Sequence, residues 1–191
     1  MRRQTELTFH PLTPARWNDA VALFGPRGAC GGCWCMAWRL PYSQYQAQKG
    51  AGNRRTFRKL VHSGTSPGVM AYVDGKPAGW CSIAPREEFT FLSRSRVLRA
   101  VDDERVWSVS CFFVARPYRQ KGVSVPLLKA AVELARKQGA RIIEGYPVDA
   151  QQGGLPGAFL WTGVPKTFRR AGFREVARRS RTRPVMRKKL V

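Results

Sequence analysis

The stretch VWSVSCFFVARPYRQKGVSVPLLKAAVELARKQGA, residues Val106–Ala140, decides how the rest of the chain is read. Val106–Val114 is an apolar run of strand length, rich in β-branched and aromatic residues. Val125–Gln138 then repeats apolar residues at helical spacing, and Gly139 closes the pattern. Between the two lies a short loop holding Arg119, Gln120, Lys121, Gly122, Val123 and Ser124. A strand that feeds a helix through such a loop presents free backbone N–H groups at the positive end of the helix dipole, which suits a phosphate. Gly122 lets the backbone approach a ligand closely. Pro126 sits in the first helical turn, where its missing N–H costs nothing. Arg119 and Lys121 add positive charge, while Arg116 reads equally as an outer phosphate contact or as a solvated charge.

Composition sets the limits around this segment. The 191 residues suit one domain spanning 1–191. With 43% hydrophobic and 11% aromatic residues the chain is globular rather than disordered. No apolar run is long enough to cross a membrane, and the polar N-terminus has no signal-peptide core, so a cytoplasmic protein is expected. Lys and Arg number 34 against 12 Asp and Glu, a formal charge of +22 that favours anionic partners. Arg169–Val191 alone carries ten basic residues and one acidic residue. This end is either a nucleic-acid surface or the solvated face of a hairpin, and the interleaving of basic with apolar residues favours the hairpin.

Five cysteines, an odd number, argue against a disulfide scaffold. Cys30-Gly31-Gly32-Cys33-Trp34-Cys35 opens like a zinc site. No second Cys-x-x-Cys follows it, and the only histidines are His10 and His62, so no metal is expected. The clustered thiols read as packing residues or as reactive, substrate-contacting groups.

Working outward, Leu7-Thr8-Phe9 is a short strand, and a helix opens at Pro14 with Thr13 as its cap. Gly25–Gly32 is a loop, and a basic helix covers Asn53–His62. Val69–Val73 and Ala78–Ile83 are strands joined by the turn Asp74-Gly75-Lys76-Pro77. Arg86–Arg105 is polar and partly helical. Arg141–Tyr146 is a buried-type strand, Val148–Gly163 an irregular insertion, and Lys166–Ala171 a short helix closed by Gly172. Basic strands over Arg174–Ser180 and Arg183–Leu190 finish the chain.

This order resembles that of the GNAT acyltransferases, and two motifs sharpen the likeness. The family's acyl-CoA signature, Arg/Gln-x-x-Gly-x-Gly/Ala after a hydrophobic strand, corresponds to Arg119-Gln120-Lys121-Gly122-Val123-Ser124, with serine replacing the last small residue. Phe168-Arg169-Arg170-Ala171-Gly172-Phe173 looks like the short helix and Gly-Phe turn near the end of such domains. The resemblance implies an α/β (α+β) fold: a mixed, mostly antiparallel central sheet flanked by helices and splayed between its fourth and fifth strands. It implies acetyl-CoA as acyl-donor cosubstrate, bound by Phe112, Phe113, Val114 and the loop Arg119–Ser124. A backbone N–H near Phe112 or Phe113 would polarise the thioester, and an acceptor amine would attack it directly.

The proton-transfer groups are less plainly marked. Many GNATs place a tyrosine four residues before the Gly of the Gly-Phe turn, and here that residue is Phe168. Tyr146 is the substitute acid, and a Phe168→Tyr change is expected to be tolerated. Glu144 is the first candidate base, followed by Glu104 or a water relay through Ser108 or Ser110. Strand alternation puts Glu144 and Tyr146 on one face, which describes a shared site or only a solvent-facing edge. Acceptor recognition falls to Cys30–Tyr45 and Tyr146–Val164, with Trp34, Cys35, Trp38 and Trp161 as contacts for a cationic or planar amine. The expected activity is N-acetyl transfer to a small-molecule or peptide amine. The alternatives are a non-catalytic CoA-binding module and a nucleic-acid-associated protein, the latter less favoured. The sequence suits a homodimer as well as a monomer.

Overall fold

The structure is a computed structural model that describes residues 6–150 and 159–190. Seven strands form one sheet: β1 (Leu7–Pro11), β2 (Gly68–Val73), β3 (Lys76–Pro85), β4 (Trp107–Val114), β5 (Ile142–Gly145), β6 (Arg174–Arg178) and β7 (Pro184–Lys189). Their spatial order is β1-β2-β3-β4-β5-β7-β6. Every pairing is antiparallel except that of β4 with β5. The helices are α1 (Trp17–Phe24), α2 (Tyr42–Ala47), α3 (Ala51–Val61), α4 (Thr90–Arg94), α5 (Ser124–Lys137) and α6 (Pro165–Arg170). This is the mixed, mostly antiparallel sheet flanked by helices that the element order implied.

Strand alternation divides the core between the two faces of the sheet. Val69, Ala71, Cys81, Ile83 and Val109 pack against Leu127, Leu128, Ala131, Val132 and Ala135 of α5. Met70, Tyr72 and Trp80 face the other way, toward Trp17 and Phe24 of α1 and Phe57 of α3. A third cluster gathers Trp38, Phe89, Leu92, Leu98, Tyr146 and Val185. α2 buries none of its residues, so it carries no apolar periodicity and reads only as a polar stretch in the sequence. Thr13, expected as a helix cap, makes no capping hydrogen bond; a 3₁₀ turn over Pro14–Arg16 precedes α1 instead.

The feature that positions the site is an irregularity in β4. Ser82 of β3 lies opposite Cys111, but its neighbour Ile83 lies opposite Val109, so Ser110 is an extra, unopposed residue. Such a bulge bends a strand and raises its local twist. β4 and β5 are in register only over Trp107↔Ile143, Ser108↔Glu144 and Val109↔Gly145. Beyond Val109, β4 continues beside β3 while its other edge is released from β5. The Phe168 ring stands at the base of this gap, edge-on to Phe112 at 5.9 Å. It lies so close to Gly145 that a Cβ there would overlap it. Of the Val148–Gly163 insertion, residues 151–158 lie outside the described residues.

Candidate active site

The freed edge of β4 forms one wall of a groove of about 520 Å³. Of the residues expected to bind the donor, Phe112, Phe113, Val114, Arg119, Gln120, Gly122, Val123 and Ser124 line it, and Lys121 does not. Tyr118, next to the loop, lines it as well, as do Ala29, Cys30, Val164 and Thr167 from segments that only the fold brings to it. The loop between β4 and α5 takes left-handed backbone at Gln120 (φ 60°) and Gly122 (φ 78°). A Cβ built on Gly122 meets no protein atom within 4 Å, so the space in front of this backbone is open. No side chain caps the N-terminus of α5, whose first N–H groups are therefore available to an anion. The groove fits a phosphate-bearing chain laid along a strand edge. Arg119 also serves the fold, since its Nε donates to the Val114 carbonyl at 2.8 Å and ties the loop to the end of β4. The Phe112 N–H points into the gap and donates to the Trp161 carbonyl at 2.6 Å.

A second cavity, of about 350 Å³, adjoins the groove and shares Ala29, Cys30, Phe112, Phe113 and Trp161 with it. Cys35, Trp38 and Trp161 line it as expected, together with Tyr45, Phe159 and Ser110 of the bulge. Trp34 does not. Its ring turns into the core, 6.1 Å from that of Trp17 and 5.6 Å from that of Phe24. Cys30, Cys33 and Cys111 complete a wall carrying four thiols with Cys35. Cys111 lies on β4, far from the other three in sequence, and only the sheet brings it to them. Among the described residues, neither cavity is lined by a carboxylate or an imidazole.

The thiols differ in their surroundings. Burial pushes the Cys33 thiol up. Cys35 is held down to about 6, first by the Cys111 S–H, then by the Trp80 indole and the charge of Arg39. The indole nitrogen lies 3.2 Å from the Cys35 Sγ. The Cys111 thiol is pushed up by the same contact and by burial.

Glu144 and Tyr146 are brought together as alternation required, but behind the site. Neither lines the groove or the adjoining cavity, although both were expected there as base and acid. Glu144 is 1% exposed and accepts hydrogen bonds from Arg187 at 2.7 and 3.0 Å. It also lies 3.5 Å from Arg86. Tyr146 donates to Glu144 at 2.8 Å and accepts from Arg86 at 2.6 Å. Its single proton is thereby committed, so Ser108, 2.8 Å away, donates to it. Burial, then the Glu144 charge, pushes the Tyr146 hydroxyl far above its ordinary range. Arg187 extends the chain of contacts to Asp102. Glu104, the other candidate base, lines neither cavity.

Comparison with known proteins bears on this arrangement directly. The family model described as the acetyltransferase (GNAT) family matches residues 34–152, more than half of the chain. The chain belongs to the GNAT acetyltransferase family. Its fold is similar to that of a GCN5-related N-acetyltransferase from Kribbella flavida, at 18% identity and a TM-score of 0.56, covering 96% of this chain and 98% of that one. It is likewise similar to the PaiA N-acetyltransferase from Thermoplasma acidophilum in complex with coenzyme A, at 12% identity and a TM-score of 0.53, covering 97% and 99%. An aminoglycoside N-acetyltransferase, AAC(6')-Iy, in complex with CoA matches at 15% identity and a TM-score of 0.56, covering 95% and 99%. No curated protein matches the chain in sequence.

Within the GNAT frame, two departures stand out. Ser124 occupies the last signature position and begins α5, where its half-buried side chain makes no capping bond. Phe168 occupies the position of the frequent tyrosine and is fully buried, so its ring wedges the gap open without offering a proton.

Proposed function

We propose that this GNAT protein is an N-acyltransferase that takes acetyl-CoA as donor and a small amine as acceptor. The observation that carries the reading is the continuity of the two cavities. The edge of β4 opened by the Ser110 bulge and the amides of the 120–124 loop face one groove, which leads past Phe112 into the cysteine- and aromatic-lined pocket.

In this reading acetyl-CoA supplies the acyl group as its thioester, and the chain's residues bind and orient. The loop amides and the first turn of α5 hold phosphate oxygens. The open edge of β4 from Phe112 to Val114 pairs with the amides of the pantetheine arm. The Phe112 N–H, which donates to Trp161 in the structure, is the group placed to polarise the thioester carbonyl once the Trp161 carbonyl gives way. The Trp38 and Trp161 rings and the thiol wall hold the acceptor and exclude water. Ser110 stands at the junction, 2% exposed, as a positioning group rather than a proton carrier. Glu144 and Tyr146 brace β5 against β4 and β7.

Calorimetric titration with acetyl-CoA tests the donor site, and release of free CoA thiol against a panel of amines tests turnover. Saturable binding that is lost in Gly122→Val, followed by amine-dependent thiol release, supports the proposal; no binding to folded protein overturns it. Binding without turnover points to the second reading, a non-catalytic CoA-binding module. Phe168 and the absence of a lining carboxylate or imidazole among the described residues favour that reading. The nucleic-acid reading is weakened by the structure. Arg178, Arg179, Arg183, Arg187 and Lys188, half of the C-terminal basic residues, are bonded to the chain itself.

A further inference from the structure

The acceptor pocket poses a chemical problem that the proposed function leaves open. An alkylamine reaches the protein as an ammonium ion near neutral pH, and its nitrogen cannot attack until a proton is removed. Glu144, the first candidate base, is held by Arg187 and Arg86 behind the sheet, and Glu104 lines neither cavity. The two histidines are elsewhere: His10 lies on β1 against Tyr72, and His62 follows the end of α3. The segment 151–158, QQGGLPGA, carries no ionisable side chain. Among the described residues, the titratable groups facing the pocket are therefore the four thiols and the Tyr45 phenol.

Only one of these is set up to hold a negative charge. Cys35 receives the Trp80 indole N–H at 3.2 Å and packs beside the Cys111 thiol on the same face of the sheet. Arg39, four residues along, pairs through Nη1 with Glu88 while its Nε and Nη2 are buried without a partner, and its charge favours the Cys35 anion. Ser82 on β3 lies beside Cys35, and Cys81 and Cys33 are the remaining ionisable neighbours. Three other pocket groups go the opposite way: Cys33 and Tyr45 are pushed up by burial, and Cys111 by its contact with Cys35. The backbone that delivers the thiol is strained, with left-handed angles at two successive non-glycine residues, Trp34 (φ 44°) and Cys35 (φ 59°). Such strain persists only where surrounding packing imposes it, and it gathers at functional positions. Here the buried Trp34 ring supplies the packing, wedged beside Trp17, Phe24 and the backbone of Gly28.

We infer that Cys35 is the catalytic base of the acceptor site, its thiolate taking a proton from the ammonium group of a primary amine carried on a flat, apolar body. The inference rests on the acyltransferase reading. The flat body follows from the walls, since Trp38, Trp161, Tyr45 and Phe159 offer ring faces and sulfur packs well against aromatic edges. Among the described residues lining the pocket, the thiolate also supplies the one counter-charge for the entering cation. Proton transfer turns the Cys35 thiolate into a thiol and the ammonium into an amine. The amine nitrogen then forms the bond to the acetyl carbon, and the carbon–sulfur bond to CoA breaks. The second nitrogen proton neutralises the departing CoA thiolate, and Cys35 returns its proton to water when the products leave.

The test uses two probes of one shape, 2-phenylethylamine, cationic in neutral water, and 4-methylaniline, already neutral there. With Cys35 as base, kcat/KM for 2-phenylethylamine rises through a midpoint near that of the thiol, about 6, and then reaches a plateau. Cys35→Ala removes the plateau, so that the rate climbs toward the amine's own pKa, about 10, and falls by about 100-fold or more at neutral pH. The same variant changes 4-methylaniline acetylation by less than about threefold, because that nitrogen has no proton to give up before attack. Cys111→Ala removes the S–H donor and moves the wild-type midpoint upward, which a merely structural cysteine would not do. Acetyl-CoA titration and circular dichroism confirm that each variant folds. An equal loss for both probes, or an unchanged profile in Cys35→Ala, overturns the inference. If acetyl-CoA binds but neither probe is acetylated, its slow hydrolysis provides the same profile with water as acceptor, and a Cys35-independent profile overturns the inference there too. Failure of acetyl-CoA to bind overturns the acyltransferase reading and this inference with it.

Discussion

Gly122 and Phe168 show how single positions constrain this site in opposite ways. At Gly122 the backbone is left-handed and the space in front of it is empty, so an added side chain meets strain and blocks the groove. The backbone strain alone is about 1–2 kcal/mol. Gly122→Val is therefore expected to weaken acetyl-CoA binding by at least about tenfold, read by calorimetry, while thermal unfolding shifts little. At Phe168 the constraint is density. The ring is fully buried between Phe112, Phe173, Gly145 and Gly163. Phe168→Tyr, which the family pattern alone suggests is harmless, would bury a hydroxyl with no partner among these neighbours. It is expected to cost about 1–3 kcal/mol of stability, measured by urea denaturation.

At the scale of elements, the splay of β4 from β5 is the event that makes a site, and β5 must survive losing its neighbour. It does so through a buried polar clasp. Glu144 links Arg187 of β7, Arg86 beyond β3 and Tyr146, while Tyr146 links Ser108 of β4. Removing one member of a buried ion pair leaves the others uncompensated, at a cost of about 3–5 kcal/mol. Glu144→Gln is accordingly expected to lower stability by roughly 3 kcal/mol in urea denaturation, with acetyl-CoA binding retained at temperatures where the variant is folded. A large pH-dependent loss of turnover at unchanged stability would instead return Glu144 to the role of base.

Across the whole molecule, the charge of +22 acts at two ranges. At long range it draws in a polyanionic donor, so acetyl-CoA association is expected to slow as ionic strength rises past physiological values, in stopped-flow measurements. At short range the charge is organised by the few acids. Asp102 is held below the ordinary carboxylate range by Arg187, and Glu175 by Arg178. Each binds fewer protons folded than unfolded as the pH nears its ordinary value, about 4. The stability they contribute is thus complete above that value and lost as the pH falls through the depressed folded values. Asp102→Asn is expected to be less stable than wild type at neutral pH, with the difference closing under strong acid, as urea midpoints along a pH series would show.

Elements with strong local periodicity were legible in the chain itself. The apolar run of β4, the stripe of α5 and the loop between them follow from residue spacing, and with the Gly-Phe turn they carry the resemblance to GNAT proteins. α2 escaped because it buries nothing, and no apolar rhythm marks it. The site was legible only where it is local. The groove residues of the 119–124 loop lie in one segment, whereas the cysteine- and aromatic-lined pocket is assembled from three parts of the chain. Trp34 and Cys35 are neighbours in sequence, yet one ring turns into the core and the other side chain into the pocket. Which way each points is set by packing against α1 and Trp80, and no local rule encodes it. The same holds for charge: the sequence determines that Glu144 is there and ionisable, but only the sheet, by laying β7 beside β5, brings Arg187 to it and makes it a clasp. Local pattern determines the elements because periodicity is a property of consecutive residues. Tertiary structure decides the chemistry, because a proton's owner depends on neighbours that the chain brings from far away.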